Sequence, residues 1–400
     1  MALTSACPLL GAVRTPAEAE KIAQKVLAHA IIIDTHADTP QLMLDEGYDV
    51  ADPHSPYMIS IPKMRQGHMG AEFMSIWVDV DWPRQDLIHR ALDLIDAVNG
   101  QVALHSGSLE LARTAGDIVR IHRRKKIAFL MGLEGGHIIE DDPRMLDVFY
   151  KLGVRYMTLT HTKNTPWAGS SGDQDPSKGL NDFGRQIVAR MNRLGMMVDI
   201  SHVSDQTFYD AVAASKAPVI ASHSSCRAIS PAPRDMTDDM IRALAKNGGV
   251  IDINYYPPFL DPDYAAARHQ VSDKIDAAVK AEKDRLAQEG KQLTYAQETA
   301  IDHKFEADIP LPDYTRIVDH IDHAVKVGGV DHVGLGSDFD GVDSIPRGME
   351  DASKIPNLVR EMARRGYSVK DMKKILGGNV MRVMRQVEDV ATKIQSEGGK

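Results

Sequence analysis

Residues 196–223 read MMVDISHVSDQTFYDAVAASKAPVIASH. Two short apolar runs, 196–201 and 218–222, flank a stretch of helical periodicity, DQTFYDAVAASK, and each run is followed at once by a histidine, His202 and His223. Apolar runs of this length are what strands of a parallel sheet, buried on both faces, require. The segment therefore reads as strand, helix, strand, with an imidazole placed at the same end of both strands.

The same unit repeats along the chain. Further runs lie at 30–35 (AIIIDT), 71–78 (AEFMSIWV), 127–133 (IAFLMGL), 154–160 (VRYMTLT), 249–254 (GVIDIN) and 332–337 (HVGLGS). Between most of them are helical stretches such as DLIHRALDLIDAVNG, LNDFGRQIVARMNRLG and TDDMIRALAKNGG, several opened by a Ser, Thr, Asp or Asn cap and closed by Gly or Asn. Eight strand and helix alternations predict an α/β fold of the (β/α)₈ TIM-like barrel type. An open doubly wound sheet is the structural alternative, and the missing glycine-rich dinucleotide fingerprint counts against its commonest form. Barrels with insertions commonly run to this length, so residues 1–400 are read as a single barrel domain. Between strands seven and eight, residues 258–316 carry two charged helical runs, AAARHQVSDKIDAAVKAEKDRLAQEG and QETAIDHKFEADI, read as an inserted helical hairpin. Following a strand's carboxyl end, it is expected on the catalytic face, where it would shade the site, contact a partner subunit, or stand as a solvated arm.

Composition narrows the function classes. A formal charge of -9 and a pI near 6.0 give no attraction to phosphate backbones or anionic lipid, so a nucleic-acid partner is not expected. No apolar run approaches the roughly 18 residues of a membrane span. Two cysteines, Cys7 and Cys226, supply no disulfide framework. The start, Met1 to Val13, lacks the basic leader of a signal peptide, and Thr4-Ser5-Ala6-Cys7 is a weak match to a lipoprotein cleavage site without the apolar region that should precede it.

The chemistry gathers where the strands end. Run one ends in Asp34-Thr35-His36-Ala37-Asp38, run three in Glu134-Gly135-Gly136-His137, run four in His161, runs five and six in His202 and His223, and run eight in Asp338. In a parallel barrel those ends converge on one rim. Imidazoles and carboxylates without thiols suit Zn²⁺, or less often Mn²⁺, Fe²⁺ or Co²⁺. Alternate residues of a strand share a face, which lets His36 and Asp38 chelate one ion. His137, close behind Glu134, is a candidate to orient a ligand. His320 and His323 share a helix face on the outer layer and His332 begins its strand, so these three are assigned no metal role.

At these residues the sequence resembles the membrane (renal) dipeptidase family, a zinc peptidase branch of the amidohydrolase superfamily. The matching stretches are DTHADTP, GLEGGH, RYMTLTHTKNTPWA, MMVDISHVS, PVIASHSSCRAI and VGLGSDFDG, in order across residues 34–341. The resemblance implies two Zn²⁺ per chain, one bound by His36 and Asp38, the other by His202 and His223, with Glu134 bridging. It implies a substrate-contacting His161, an Arg234 that grips the substrate carboxylate, and Asp338 as the last-strand acid. It further implies a homodimer and an exported, for instance periplasmic, location, while composition leaves a cytoplasmic one open. Departures from the mammalian pattern are the 258–316 insertion and Ala37 between the first two ligands.

The expected reaction is hydrolysis of a dipeptide with a free C-terminal carboxylate, L-Xaa-L-Xaa and L-Xaa-D-Xaa alike. Asp338 would act as base and then acid, and His161 would stabilise the oxyanion. Arg234 would bind the carboxylate through its planar fork, while Trp167 and Tyr255 wall the pocket or belong to the core. Alternatives are a related amidohydrolase acting on N-acyl amino acids or other small amides, and a non-catalytic barrel serving as a binding module.

Overall fold

In the computed structural model, which describes residues 11–175 and 177–397, eight parallel strands follow one another around a barrel. They are β1 (Ile32–Ala37), β2 (Met69–Trp77), β3 (Ile127–Glu134), β4 (Val154–Thr158), β5 (Met197–Asp199), β6 (Ile220–Ser224), β7 (Val250–Ile253) and β8 (Val333–Leu335). Each pairs with the next in parallel register. The last meets the first just past their ends: Asp338 N–H donates to the His36 carbonyl at 3.0 Å and Asp38 N–H to the Phe339 carbonyl at 2.9 Å. Nearer their starts β1 and β8 are bridged by side chains, Thr35 Oγ1 donating to the Leu335 carbonyl at 3.0 Å. Below, the Asn379 side chain donates to the Val330 and Val333 carbonyls, both at 2.8 Å. The eight expected runs are thus the eight barrel strands. A short strand not read from sequence, Leu109–Leu111, pairs with the outer part of β3.

The helices form where capping chemistry and periodicity agree. Asn181 accepts from Gly184 N–H at the start of the helix Asp182–Leu194, and Gly195, in the left-handed region at φ 85°, ends it. Ser204 and Thr237 cap the helices Asp205–Ala214 and Asp238–Asn247 in the same way. Ile187, Val188 and Met191, spaced for one helix face, are fully buried, each worth about 1.5–3 kcal/mol against exposure.

The insertion between β7 and β8 is helical: a single turn Pro257–Leu260, then Pro262–His269, Ser272–Gln288 and Tyr295–Glu306. The two longest form the expected hairpin, with a small apolar centre of its own around Ile275, Val279 and Ile301. It stands over the rim where the strands end, with Lys283, Tyr295 and Glu298 forming part of the wall of a cleft there. Among the described residues no helix is long and apolar enough to cross a membrane. The readings made of the chain's start, Cys7 included, lie outside the described residues.

Candidate metal centre

Glu134, the last residue of β3, reaches into the rim with its two oxygens turned to different partners. Oε2 lies 3.1 Å from His36 Nε2, while Oε1 lies 3.0 Å from His202 Nε2 and 3.3 Å from His223 Nε2. Asp38 Oδ2 is 3.3 Å and Asp338 Oδ1 3.8 Å from His36 Nε2. His161 stands further out, its Nε2 3.7 Å from Glu134 Oε1. Three overlapping triads have ligand atoms close enough to share an ion: His36 with Glu134 and His223, Glu134 with His161 and His202, and His36 with Asp38 and Asp338. The His36, Glu134 and His223 side chains are buried, whereas His161, His202 and Asp338 border the cleft. His202 and Asp338, each the third residue past its strand, both turn through the left-handed region at φ 65°. That conformation is uncommon for residues with a Cβ and is a form of local strain found at functional sites.

The hydrogen bonds behind the rings assign their protons. The Tyr156 hydroxyl donates to the Thr35 carbonyl at 3.1 Å, so its oxygen is left to accept from His36 Nδ1–H at 2.7 Å. Ser222 Oγ donates to Asp199 Oδ2 at 2.6 Å and accepts from His223 Nδ1–H at 2.8 Å. Both imidazoles therefore turn an Nε2 lone pair towards Glu134. His223 Nε2 also lies 2.9 Å from His202 Nε2. Lone pairs facing a carboxylate repel it unless positive charge lies between them, and three carboxylates with three imidazoles at this spacing form the donor set of divalent cations. The protein field agrees. Burial presses on the His36 imidazole, yet Tyr156, Glu134 and Asp38 hold it well above the histidine range, and Glu134, despite burial, is held well below the carboxylate range by His36, His202 and His223. A proton attracted there is the single-charge counterpart of a metal ion.

One strand that supplied no candidate ligand, β2, supports much of this. Phe73, Ser75 and Trp77, alternate residues of β2, face the same side. The Phe73 ring packs on Tyr156 at 5.5 Å, Ser75 Oγ donates to Glu134 Oε2 at 3.0 Å, and the Trp77 indole donates to His161 Nδ1 at 3.3 Å. Gly132 gives Tyr156 its place: a Cβ there would stand 1.9 Å from the ring. Gly341 does the same for Asp38, whose Oδ2 would lie 2.0 Å from an added Cβ. None of these supports carries a type that marks chemistry in a sequence, and neither does Asn254, whose side-chain amide donates to Asp338 Oδ2 at 2.9 Å. Burial, outweighing the attraction of His36, pushes the Asp338 carboxyl up to about 7. Burial, with His202 nearby, pushes His161 down to about 3, so this ring is neutral.

The cleft above the cluster, about 400 Å³, runs from Trp77 and Tyr295 across Glu134 to Phe259. Arg234 lies behind Phe259, its guanidinium 5.7 Å from that ring, with Nη1 donating to Ser224 Oγ at 2.7 Å and Nη2 to the His223 carbonyl at 2.6 Å. Of the two places open to Tyr255, the structure gives it the core, fully buried with its ring against Phe339, and the tyrosines lining the cleft are its neighbour Tyr256 and Tyr295. The chain turns after β7, where Tyr256 N–H donates to Asn254 Oδ1, so strand alternation no longer tells which ring points outward. Trp167 is core, its indole donating to Asp141. His137 Nε2 bonds the Val78 carbonyl at 2.9 Å and takes no part in the triads. His320, His323 and His332 bond the Leu260 carbonyl, Asp238 and the Gly249 carbonyl, away from the rim.

Residues 20–398 match the family model described as membrane dipeptidase, peptidase family M19. An uncharacterized dipeptidase of Schizosaccharomyces pombe is 33% identical over 394 residues, covering 94% of this chain and 85% of that protein. The dipeptidase tcpJ of Claviceps purpurea is 36% identical over 345 residues, covering 83% of this chain and 70% of that one. Among solved structures, the probable dipeptidase PvdM of Pseudomonas aeruginosa superposes with a TM-score of 0.81 at 26% identity, covering 94% of this chain and all of that one.

Proposed function

This chain belongs to the membrane dipeptidase family of metallopeptidases, and on that premise we propose that it is a two-zinc enzyme hydrolysing dipeptides that carry a free C-terminal carboxylate. The observation that carries the reading is Glu134, one carboxylate whose oxygens face His36 on one side and His202 with His223 on the other. His36 with Asp38 would hold one ion and His202 with His223 the second, Glu134 joining them. Divalent ions held by these residues would supply an acidified water and a polarised carbonyl.

The protein's own groups do the rest. Asp338 keeps Oδ2 on Asn254 and leaves Oδ1 towards the cluster, so it can take a proton from the attacking water and return it to the departing amine. A carboxylate held against the cluster in this way has the reach that general acid–base catalysis requires. His161, neutral, turns Nε2 towards Glu134 and the cleft, where a donor would meet charge developing on the carbonyl oxygen. Arg234, with each terminal nitrogen using one bond to the barrel, retains further N–H groups for a carboxylate arriving past Phe259. Tyr256 and Phe259 bound the carboxylate side of the cleft, Trp77 and Tyr295 the amino side. Both configurations at the second residue are expected to be accepted.

Metal analysis combined with a substrate panel tests this. Two zinc ions per chain and hydrolysis of dipeptides, but not of N-acetyl amino acids or dipeptide amides, are expected. Preference for the N-acetyl compounds would establish the amidohydrolase alternative, and a metal-free protein inert to both would leave a binding module.

A further inference from the structure

The histidines of the rim differ in which nitrogen is held from behind. His36 and His223 are held at Nδ1 by oxygens that have spent their own protons elsewhere, on the Thr35 carbonyl and on Asp199, so Nδ1 carries the hydrogen and Nε2 offers a lone pair. His161 is held at Nδ1 by the Trp77 indole, at 3.3 Å. An indole N–H only donates. Nδ1 of His161 must therefore accept, and its hydrogen belongs on Nε2, the atom that faces Glu134 and the cleft. Thr162 Oγ1, 3.4 Å from the same Nδ1, can rotate to donate as well and cannot displace the indole's demand.

We propose that Trp77 is a positioning residue that fixes His161 as its Nε2–H tautomer, keeping this imidazole a hydrogen-bond donor to the cleft when its distance to Glu134 would otherwise let it serve as a third nitrogen ligand. Trp77 is itself held from the insertion side, where the Tyr295 ring meets it edge-on at 6.3 Å, and its ring meets the His161 ring at 5.6 Å. The hairpin thereby reaches the reacting centre through two aromatic rings. The catalytic consequence rests on the dipeptidase reading, in which His161 meets the carbonyl oxygen; the tautomer assignment does not.

The test is Trp77→Phe, which keeps an aromatic ring beside Tyr295 and removes the donor. In zinc-loaded, ¹⁵N-histidine-labelled protein, long-range proton–nitrogen correlation of His161, assigned by loss of its signals in His161→Gln, should show hydrogen on Nε2. In Trp77→Phe the signals should shift towards a mixture with the Nδ1–H form. Zinc content should stay within about twofold, while kcat falls by about tenfold or more, up to the 10²–10³ typical of losing an oxyanion donor. An Nδ1–H tautomer in the native protein overturns the proposal, and so does an unchanged Nε2–H tautomer in the variant. Should the variant not fold, the native spectrum still decides. If the native enzyme cleaves no dipeptide, the functional reading fails while the tautomer measurement continues to judge Trp77.

Discussion

Tyr156→Phe removes one oxygen from the barrel and, with it, two buried hydrogen bonds. The hydroxyl receives His36 Nδ1–H at 2.7 Å and donates to the Thr35 carbonyl at 3.1 Å, with Tyr156, His36 and Thr35 all fully buried. Deleting it leaves an N–H and a carbonyl without partners where water does not replace them, at about 1–3 kcal/mol for each orphaned group. The ring itself stays, wedged between Phe73 and the space above Gly132, so packing is little altered. Two effects should separate. The metal-free protein should lose roughly 2–6 kcal/mol, read as a lowered urea midpoint with an unchanged slope. Zinc affinity should fall about 10–100-fold, the usual consequence of removing the group that orients a ligating imidazole. The loss should be confined to the ion on the His36 and Asp38 side, since His223 keeps its own support from Ser222. Competition between the protein and a chromophoric chelator measures both affinities. If both stay within twofold of the native values, the hydrogen bond does not set the His36 tautomer, and the argument that the rim demands cations loses its main support.

Asp338→Asn should retain both metals, because Asn254 and the backbone still hold the turn, and lose about 10²–10⁴ in kcat; turnover near the native rate would remove Asp338 from proton transfer. Arg234→Lys should raise KM for dipeptides by about tenfold to a hundredfold, the worth of a charged hydrogen bond. Competitive inhibition by a dipeptide amide should change little in the same variant, and equal losses for substrate and inhibitor would make the arginine structural. Glu72 is fully buried with neither oxygen hydrogen-bonded, and burial, aided by Asp34, raises its pKa well above the ordinary value. A raised acid favours folding while protonated, so stability is lost as pH rises past the unfolded value of about 4.3, by about 1.4 kcal/mol per unit until the folded pKa is reached. Glu72→Gln should therefore raise Tm more at pH 8 than at pH 5, and equal shifts at both pH values would mean that this carboxyl is not protonated in the fold.

How far the sequence discloses these features depends on whether a residue's type betrays its task. The barrel is legible because each strand is an apolar run and each run is cut off by a cap, a glycine or a polar group. Leu109–Leu111 escapes because three residues containing Glu110 have neither the length nor the composition of a buried strand. The cluster of His36, Asp38, Glu134, His202, His223 and Asp338 is legible as a set, since imidazoles and carboxylates directly after apolar runs are uncommon and the fold rule brings strand ends together. Their supports are not. Phe73, Ser75 and Trp77 look like ordinary β2 core, and Ser222 and Asp199 lie inside apolar runs, yet all five hold side chains of the rim or its second layer. Period-two alternation tells that Phe73, Ser75 and Trp77 share a face, but not that the face is the one turned to Tyr156, Glu134 and His161. Tyr255 and Tyr256 mark the same boundary from the other side, because alternation stops counting where the strand does.

The insertion follows a different logic from the cluster beneath it. Its hold on the barrel is ionic and largely buried: Arg268, from the helix Pro262–His269, lies between Asp343 at 2.6 Å and Glu306 at 2.5 Å, and Tyr256 donates its hydroxyl to the same Asp343 oxygen at 3.0 Å. Tyr264 adds bonds to Glu306 at 3.1 Å and to Ser344 at 3.0 Å. Removing one member of such a set strands a buried charge, at about 3–5 kcal/mol, so the assembly resists partial disruption. Asp343 and Ser344 belong to the loop that leaves β8 through Asp338 and Gly341. The same network that fixes the helices therefore fixes them relative to the proposed proton-transfer acid. Lys283, Tyr295 and Glu298 are thus presented to the cleft in a fixed relation to the rim. In the proposed orientation the substrate's amino-terminal residue faces Tyr295, Glu298 and Lys283 of the inserted helices together with Trp77 of β2, so a preference among dipeptides should be sought in these side chains before it is sought among the metal-binding groups.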